Sequence, residues 1–155
     1  MNDDPRTIRV DEFLPHPPTK VWRALTDSAL MGRWLMANDF KLEIGHTFTF
    51  QGTPQPKAGF GGTGHSEVLD FEAERMLKIS WCADPDDASG LDSTVTFILE
   101  SEGTGTRLFL VHDGFDPEDS HQVAGRRLMG GGWPRIVKGI GAVIAESERE
   151  VQAGA

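Results

Sequence analysis

The stretch that decides the fold is Thr106-Arg107-Leu108-Phe109-Leu110-Val111-His112, which runs into Gly114-Phe115 and is followed by Gly132-Trp133 and the apolar positions Ile136, Val137, Ile140 and Ile144. The first part is rich in residues that suit a pleated strand. The second has its apolar residues at the three- and four-residue spacing of one helix face. A strand followed by one amphipathic helix predicts a helix lying across a curved sheet. Such a layout leaves room for a cavity between the two layers, and what that cavity holds is the functional question.

Upstream, residues 93–100 carry Val95, Phe97 and Leu99 in alternation and pair naturally with 106–112 through Glu102-Gly103-Thr104-Gly105. Residues 65–72 and 76–82 form the preceding hairpin, with Leu77, Ile79 and Trp81 on one face. Thr47-Phe48-Thr49-Phe50 is read as a strand, and so is Phe40-Lys41-Leu42-Glu43-Ile44, ending at Gly45-His46. Residues 7–14 alternate as a half-buried strand. After them, Pro18 suits a first helical position, where its missing N–H costs nothing. Val21, Trp22 and Leu25 mark a first short helix; Leu30, Met31 and Trp34 mark a second, capped by Thr26 or Asp27. Hairpins in sequence predict an antiparallel sheet of about seven strands. Gly130-Gly131-Gly132 and Pro134 interrupt the last helical pattern, since Pro134 cannot donate to the carbonyl four residues back. A helix over roughly 119–149, kinked there, is expected.

The chain has 155 residues, a net charge of −9 and a single cysteine, Cys82. One domain is expected, with its core over about residues 8–150. The acidic balance argues against nucleic acid and against an anionic membrane surface, both of which need clustered Lys and Arg. One cysteine excludes an intrachain disulfide and a four-thiolate zinc site. Met1-Asn2-Asp3-Asp4-Pro5 lacks a signal-peptide core, and no apolar run approaches the ~20 residues of a membrane span. A cytoplasmic location is the expectation.

Pro18-x-x-Val21-Trp22-x-Ala24-Leu25-Thr26-Asp27, followed by Trp34, resembles the opening of the START-like helix-grip (SRPBCC) superfamily. Trp81 at a strand end, Thr106-Arg107-Leu108 through His112-x-Gly114-Phe115, and Gly132-Trp133 are similar to one branch of it, the homologues of the activator of heat-shock protein 90 ATPase. The resemblance implies an α+β helix-grip fold: a curved antiparallel sheet wrapped around a long C-terminal helix, with two short helices after the first strand. It also implies an apolar cavity between sheet and helix. Lipid carriers, hormone receptors, polyketide cyclases and co-chaperones share that architecture, and fold does not choose among them.

Trp34, Phe48, Phe50, Trp81, Phe109 and Trp133 are the candidate cavity walls, because small-molecule sites are lined by apolar rings with few polar groups. Trp133 stands out, as the adjacent glycines leave room beside it. His112 is in phase with Leu108 and Leu110, so an inward-facing imidazole could orient a ligand or move a proton. Glu12 is in phase with Ile8 and Val10 and would be desolvated if inward. Gly59-x-Gly61-x-x-Gly64 spells a dinucleotide fingerprint, but it precedes a strand rather than a helix and is read as a loop at the cavity mouth. No histidine pair has metal-ligand spacing, and neither a metal nor a cofactor is expected.

Three readings follow. The first is a binding module for a small hydrophobic or aromatic molecule, with His112 or Glu12 orienting a polar group. The second is an enzyme of the polyketide cyclase or dehydratase type, with His112 moving protons. The third is a co-chaperone that stimulates a heat-shock chaperone ATPase. An edge strand or the last helix offers a surface for a homodimer.

Overall fold

The computed structural model describes residues 4–154. Met1-Asn2-Asp3, most of the acidic N-terminal segment, lies outside the described residues. Seven antiparallel strands form one sheet in the order β1-β7-β6-β5-β4-β3-β2. They are β1 (Thr7–Leu14), β2 (Ala37–Asn38), β3 (Thr47–Gln51), β4 (Thr63–Glu72), β5 (Met76–Ala83), β6 (Asp92–Glu102) and β7 (Gly105–Asp113). Helices α1 (Pro18–Thr26) and α2 (Ser28–Trp34) follow β1, and α3 (Ser120–Ala153) crosses the concave face. This is the expected α+β helix-grip arrangement.

Alternation decides which face is buried. Val95, Phe97 and Leu99 of β6, Leu108 and Leu110 of β7, and Leu77 and Ile79 of β5 are all buried on the inner face. Trp133, Val137, Ile140 and Ile144 of α3 meet them at spacings of four, three and four residues, the repeat of one helix stripe. Residues 93–100 and 106–112 pair as the expected hairpin, with Phe97 opposite Leu110 and Leu99 opposite Leu108. Gly114 follows β7 at φ 118°, and a Cβ there would lie 2.9 Å from both the Asp92 carbonyl and Ser93 Cα. The Gly114-Phe115 pair thus needs glycine both for conformation and for space.

Pro18 opens α1, and Asp27 is the cap of α2, its carboxylate accepting from the Leu30 N–H at 3.1 Å. The strand expected over Phe40–Ile44 does not form. Asn38 turns the chain: its side-chain oxygen accepts from Phe40 N–H at 3.0 Å and its amide donates to the Met36 carbonyl at 2.9 Å. Two tight turns follow, Glu43 N–H to Lys41 O and His46 N–H to Glu43 O. Ile44 is left 56 % exposed, so no apolar face rewards an extended chain there. The pairing falls instead on Ala37 and Asn38, opposite Gln51 and Phe50.

The last helix runs without a break through Gly130-Gly131-Gly132 and Pro134, and Asp119 caps it by accepting from His121 and Gln122 N–H groups. Its C-terminal half is tied to α1 and α2 by Lys20–Glu148 and by Arg33 to Glu146 and Glu150 at 3.3 and 3.1 Å. Its N-terminal half is tied to the start of the chain by Arg126, whose Nη2 donates to the Asp4 and Thr7 carbonyls, each at 2.9 Å.

Candidate ligand cavity

A cavity of about 290 Å³ lies between the sheet and the first half of α3. Phe50, Trp81, Phe115, Met129, Trp133 and Ile136 make its apolar wall, with Leu35 and Met36 closing the side toward α2. Its mouth is bounded by the β3–β4 connection through Thr53, Gln55 and Phe60, and by the β5–β6 connection through Asp87, Ser89 and Leu91. The size is at the small end of ligand sites, and the lining chemistry is typical of them.

The expected wall residues divide. Phe50, Trp81 and Trp133 line the cavity. Trp34 does not: its indole N–H donates to the Ala24 carbonyl at 2.8 Å and its ring packs edge-on to Phe97, so it joins α2 to the core. Phe48 also lies outside the wall, packed between Phe40 and Phe50 with ring centroids 5.2 Å away on each side. Phe109 is a correction of phase. It alternates with Leu108 and Leu110, is only half-buried, and sits on the outer face opposite Asp11 and Ile98. Glu12 is on the inner face but away from the cavity, 4.0 Å from Lys138 Nζ.

The rings that remain inside form a connected chain. Centroids are 5.0 Å apart for Phe50 and Trp81, 5.4 Å for Trp81 and Trp133, and 6.4 Å for Trp133 and Phe97. Most pairs are tilted or edge-on, as the ring quadrupoles favour. The cavity therefore lies beside an interlocked aromatic layer.

His112 is fully buried behind that layer and does not line the cavity. Its Nδ1 accepts from the Trp133 indole N–H at 3.1 Å. An indole nitrogen only donates, so Nδ1 carries no proton and Nε2 does. Nε2 then donates to Ser93 Oγ at 2.8 Å, and Ser93 donates to the Trp81 carbonyl at 2.6 Å. Burial pushes the imidazole down to about 3, against a smaller upward pull from Asp113. A neutral ring with both nitrogens engaged cannot carry a proton to a guest near neutral pH. The expected role for His112 in orienting a ligand or moving protons is therefore corrected. It holds Trp133 and, through Ser93, Trp81.

The mouth was less legible. Gln122 bridges the connection after β7 to the β5–β6 connection, its Oε1 accepting from Asp116 N–H at 2.7 Å and its Nε2 donating to the Ser89 carbonyl at 2.8 Å. Nothing in its sequence surroundings distinguishes it from an ordinary helical glutamine. The glycine-rich segment is explained by close packing. Gly59 has φ 68°, and a Cβ there would lie 2.8 Å from Ser89 N and 3.1 Å from the His121 ring. A Cβ on Gly61 would lie 2.8 Å from Asp87 Oδ1, which accepts the Gly61 N–H at 3.0 Å. The spelling of a dinucleotide fingerprint thus arises from one loop packed against another and against α3, and β4 rather than a helix follows it.

The 84–87 acidic run is an ordered turn. Asp84 accepts from Asp86 N–H at 3.0 Å and meets His65 Nε2 at 2.8 Å, and these bonds hold its carboxyl below the usual range. Burial, helped by Asp92, pushes the Cys82 thiol up, away from thiolate chemistry. Among the described residues, no group of three or more His, Cys, Asp or Glu side chains is gathered to hold a metal ion. No helix among them is long and apolar enough to cross a membrane.

The fold is shared with known structures. Protein MLL2253 from Mesorhizobium loti is 34% identical, with a TM-score of 0.78 over 91% of this chain and 98% of its own. CalU16 from Micromonospora echinospora is 26% identical, with a TM-score of 0.68 over 96% of this chain and 82% of its own. DynU16, from the dynemicin biosynthetic locus, has a TM-score of 0.71 at 20% identity over 90% of this chain, which spans about half (47%) of the DynU16 chain. No curated protein matches the sequence. Residues 15–145, from the end of β1 through most of α3, match the model of one family, and the chain belongs to it: the Activator of Hsp90 ATPase homolog 1-like proteins.

Proposed function

We propose that this protein binds a small, mainly apolar aromatic molecule in the cavity between its sheet and α3. The observation that carries this reading is the wall itself: Phe50, Trp81 and Trp133 line a space of about 290 Å³. Apolar burial, at about 25 cal/mol per Å², supplies the affinity. Two indoles in the wall make the test direct. Naphthalene or flavone is expected to quench tryptophan emission and to raise the melting temperature by a few degrees, through preferential binding to the folded state. Met129→Trp, which fills the cavity, is expected to abolish both effects. Flat emission and an unchanged melting temperature across lipids, flavonoids and polyketides would overturn the proposal.

A cyclase-type reaction is the second reading. It is supported by the likeness to DynU16, a protein of a biosynthetic locus. Its catalysis would rest on orienting a flexible chain in the cavity, because His112 is committed to Trp133 and Ser93. Turnover that persists in His112→Gln with an unshifted pH profile, once a substrate is in hand, is the result expected. Action on a chaperone is the third reading and is supported by the family alone. An unchanged chaperone ATPase rate in the presence of this protein would remove it.

A further inference from the structure

We infer that Asp87 makes this cavity selective for aromatic guests that bear a hydrogen-bond donor, such as a phenolic hydroxyl, over aromatic carboxylates. The inference rests on the binding reading above and deepens it.

Gln122, Ser89 and Asp87, polar side chains around a mainly apolar space, differ in how many of their hydrogen bonds are already made. Gln122 has spent both ends of its amide, on Asp116 N–H and on the Ser89 carbonyl. Ser89 Oγ already accepts from Leu91 N–H at 3.3 Å. Asp87, at the same mouth, has committed only one oxygen: Oδ1 takes the Gly61 N–H at 3.0 Å, while Oδ2 is buried and has no hydrogen-bond partner within the protein. A buried acceptor without a donor is costly, and a carboxylate oxygen more so than a neutral one. A guest that brings a donor relieves that cost; one that brings only apolar surface does not.

Charge around the mouth points the same way. Asp84, Asp86 and Asp87 belong to one short connection, and the chain as a whole carries −9. A benzoate-type guest would meet like charge. The cation among the lining residues, Arg135, is on the exposed side of α3, where water screens it. The Asp87 carboxylate is held beside the glycine-rich turn by the Gly61 N–H, which binds Oδ1.

The test uses the full chain and calorimetric titration with naphthalene, 2-naphthol and 2-naphthoate. In the wild type, 2-naphthol is expected to bind about tenfold tighter than naphthalene, the scale of one charge-assisted hydrogen bond, and 2-naphthoate weaker than either. Asp87→Ala is expected to erase the naphthol advantage, so that naphthol and naphthalene bind alike. Asp87→Asn keeps an oxygen for Gly61 N–H, preserving the loop, and puts a donor where Oδ2 stood. It is expected to gain affinity for naphthoate, an acceptor that the wild-type carboxylate repels. Equal binding of naphthol and naphthalene would overturn the inference while leaving the binding reading standing. So would tightest binding of naphthoate to the wild type, or an unchanged naphthoate affinity in Asp87→Asn. Silence from all three probes would overturn both.

Discussion

The Trp133 indole donates to His112 Nδ1 across 3.1 Å, and both residues are buried. One bond therefore sets the tilt of a cavity-wall ring and the tautomer of the histidine behind it. Trp133→Phe keeps an aromatic ring but leaves Nδ1 without a donor. A loss of at least about 1–3 kcal/mol is expected, the cost of stranding a buried acceptor. Urea unfolding measures it, and a midpoint equal to the wild type would show that the bond contributes nothing to stability.

The same histidine makes a prediction in pH. Burial lowers its value from 6.5 to about 3, so the unfolded chain takes up a proton at a pH where the folded chain does not. The contribution is fully present above about pH 6.5 and is lost as pH falls toward 3. Between those limits it weakens folding by about 1.4 kcal/mol per pH unit. His112→Gln lacks this slope. The difference in unfolding free energy between wild type and variant, followed from pH 7 to pH 4, is expected to narrow steadily as pH falls, and parallel curves would refute the assignment.

The glycines of α3 yield a gain. Gly130 and Gly131 are helical, and a Cβ on either meets nothing within 4 Å. Gly130→Ala and Gly131→Ala are each expected to stabilise by about 0.5–1 kcal/mol, through helix propensity and a less flexible unfolded chain. Thermal melting would register a small rise for each, with naphthalene binding unaltered, since neither residue lines the cavity.

Gly59 behaves in the opposite way. Its φ of 68° and the 2.8 Å approach of Ser89 N leave no place for a side chain. Gly59→Ala is expected to cost about 1–3 kcal/mol or to displace the β3–β4 connection. Faster proteolysis within residues 52–62 would report the displacement, and an unchanged melting temperature and digestion pattern would count against the packing described.

The layout of strands and helices was legible because period and chemistry agreed. Val95, Phe97 and Leu99 alternate, Trp133, Val137, Ile140 and Ile144 follow the helix repeat, and both patterns bury the expected face. Over Phe40–Ile44 the alternation is present without a strand, because the Asn38 side chain turns the backbone and no sheet face awaits Ile44. Within the site, the Phe109 ring suits a cavity wall by its chemistry but not by its phase, since Leu108 and Leu110 take the inward positions. Trp34 and Phe48 are inward and buried, yet the distance from α2 and β3 to the cavity depends on packing that no local pattern encodes. Asp87 and Gln122 could not be found from sequence, because their significance lies in which hydrogen bonds are already taken.

The boundary of the mouth is carried by Thr53, Gln55 and Phe60 on one connection and by Asp87 and Leu91 on another, while the interior that holds the fold together is built from Phe97, Leu108, Val137 and Ile140 on strands and the long helix. The rim and the core are thus largely separate sets of residues, with Trp133 and Phe50 shared between cavity wall and core. Under the proposed binding role, a lineage with this scaffold can alter its rim one substitution at a time without passing through an unfolded ancestor.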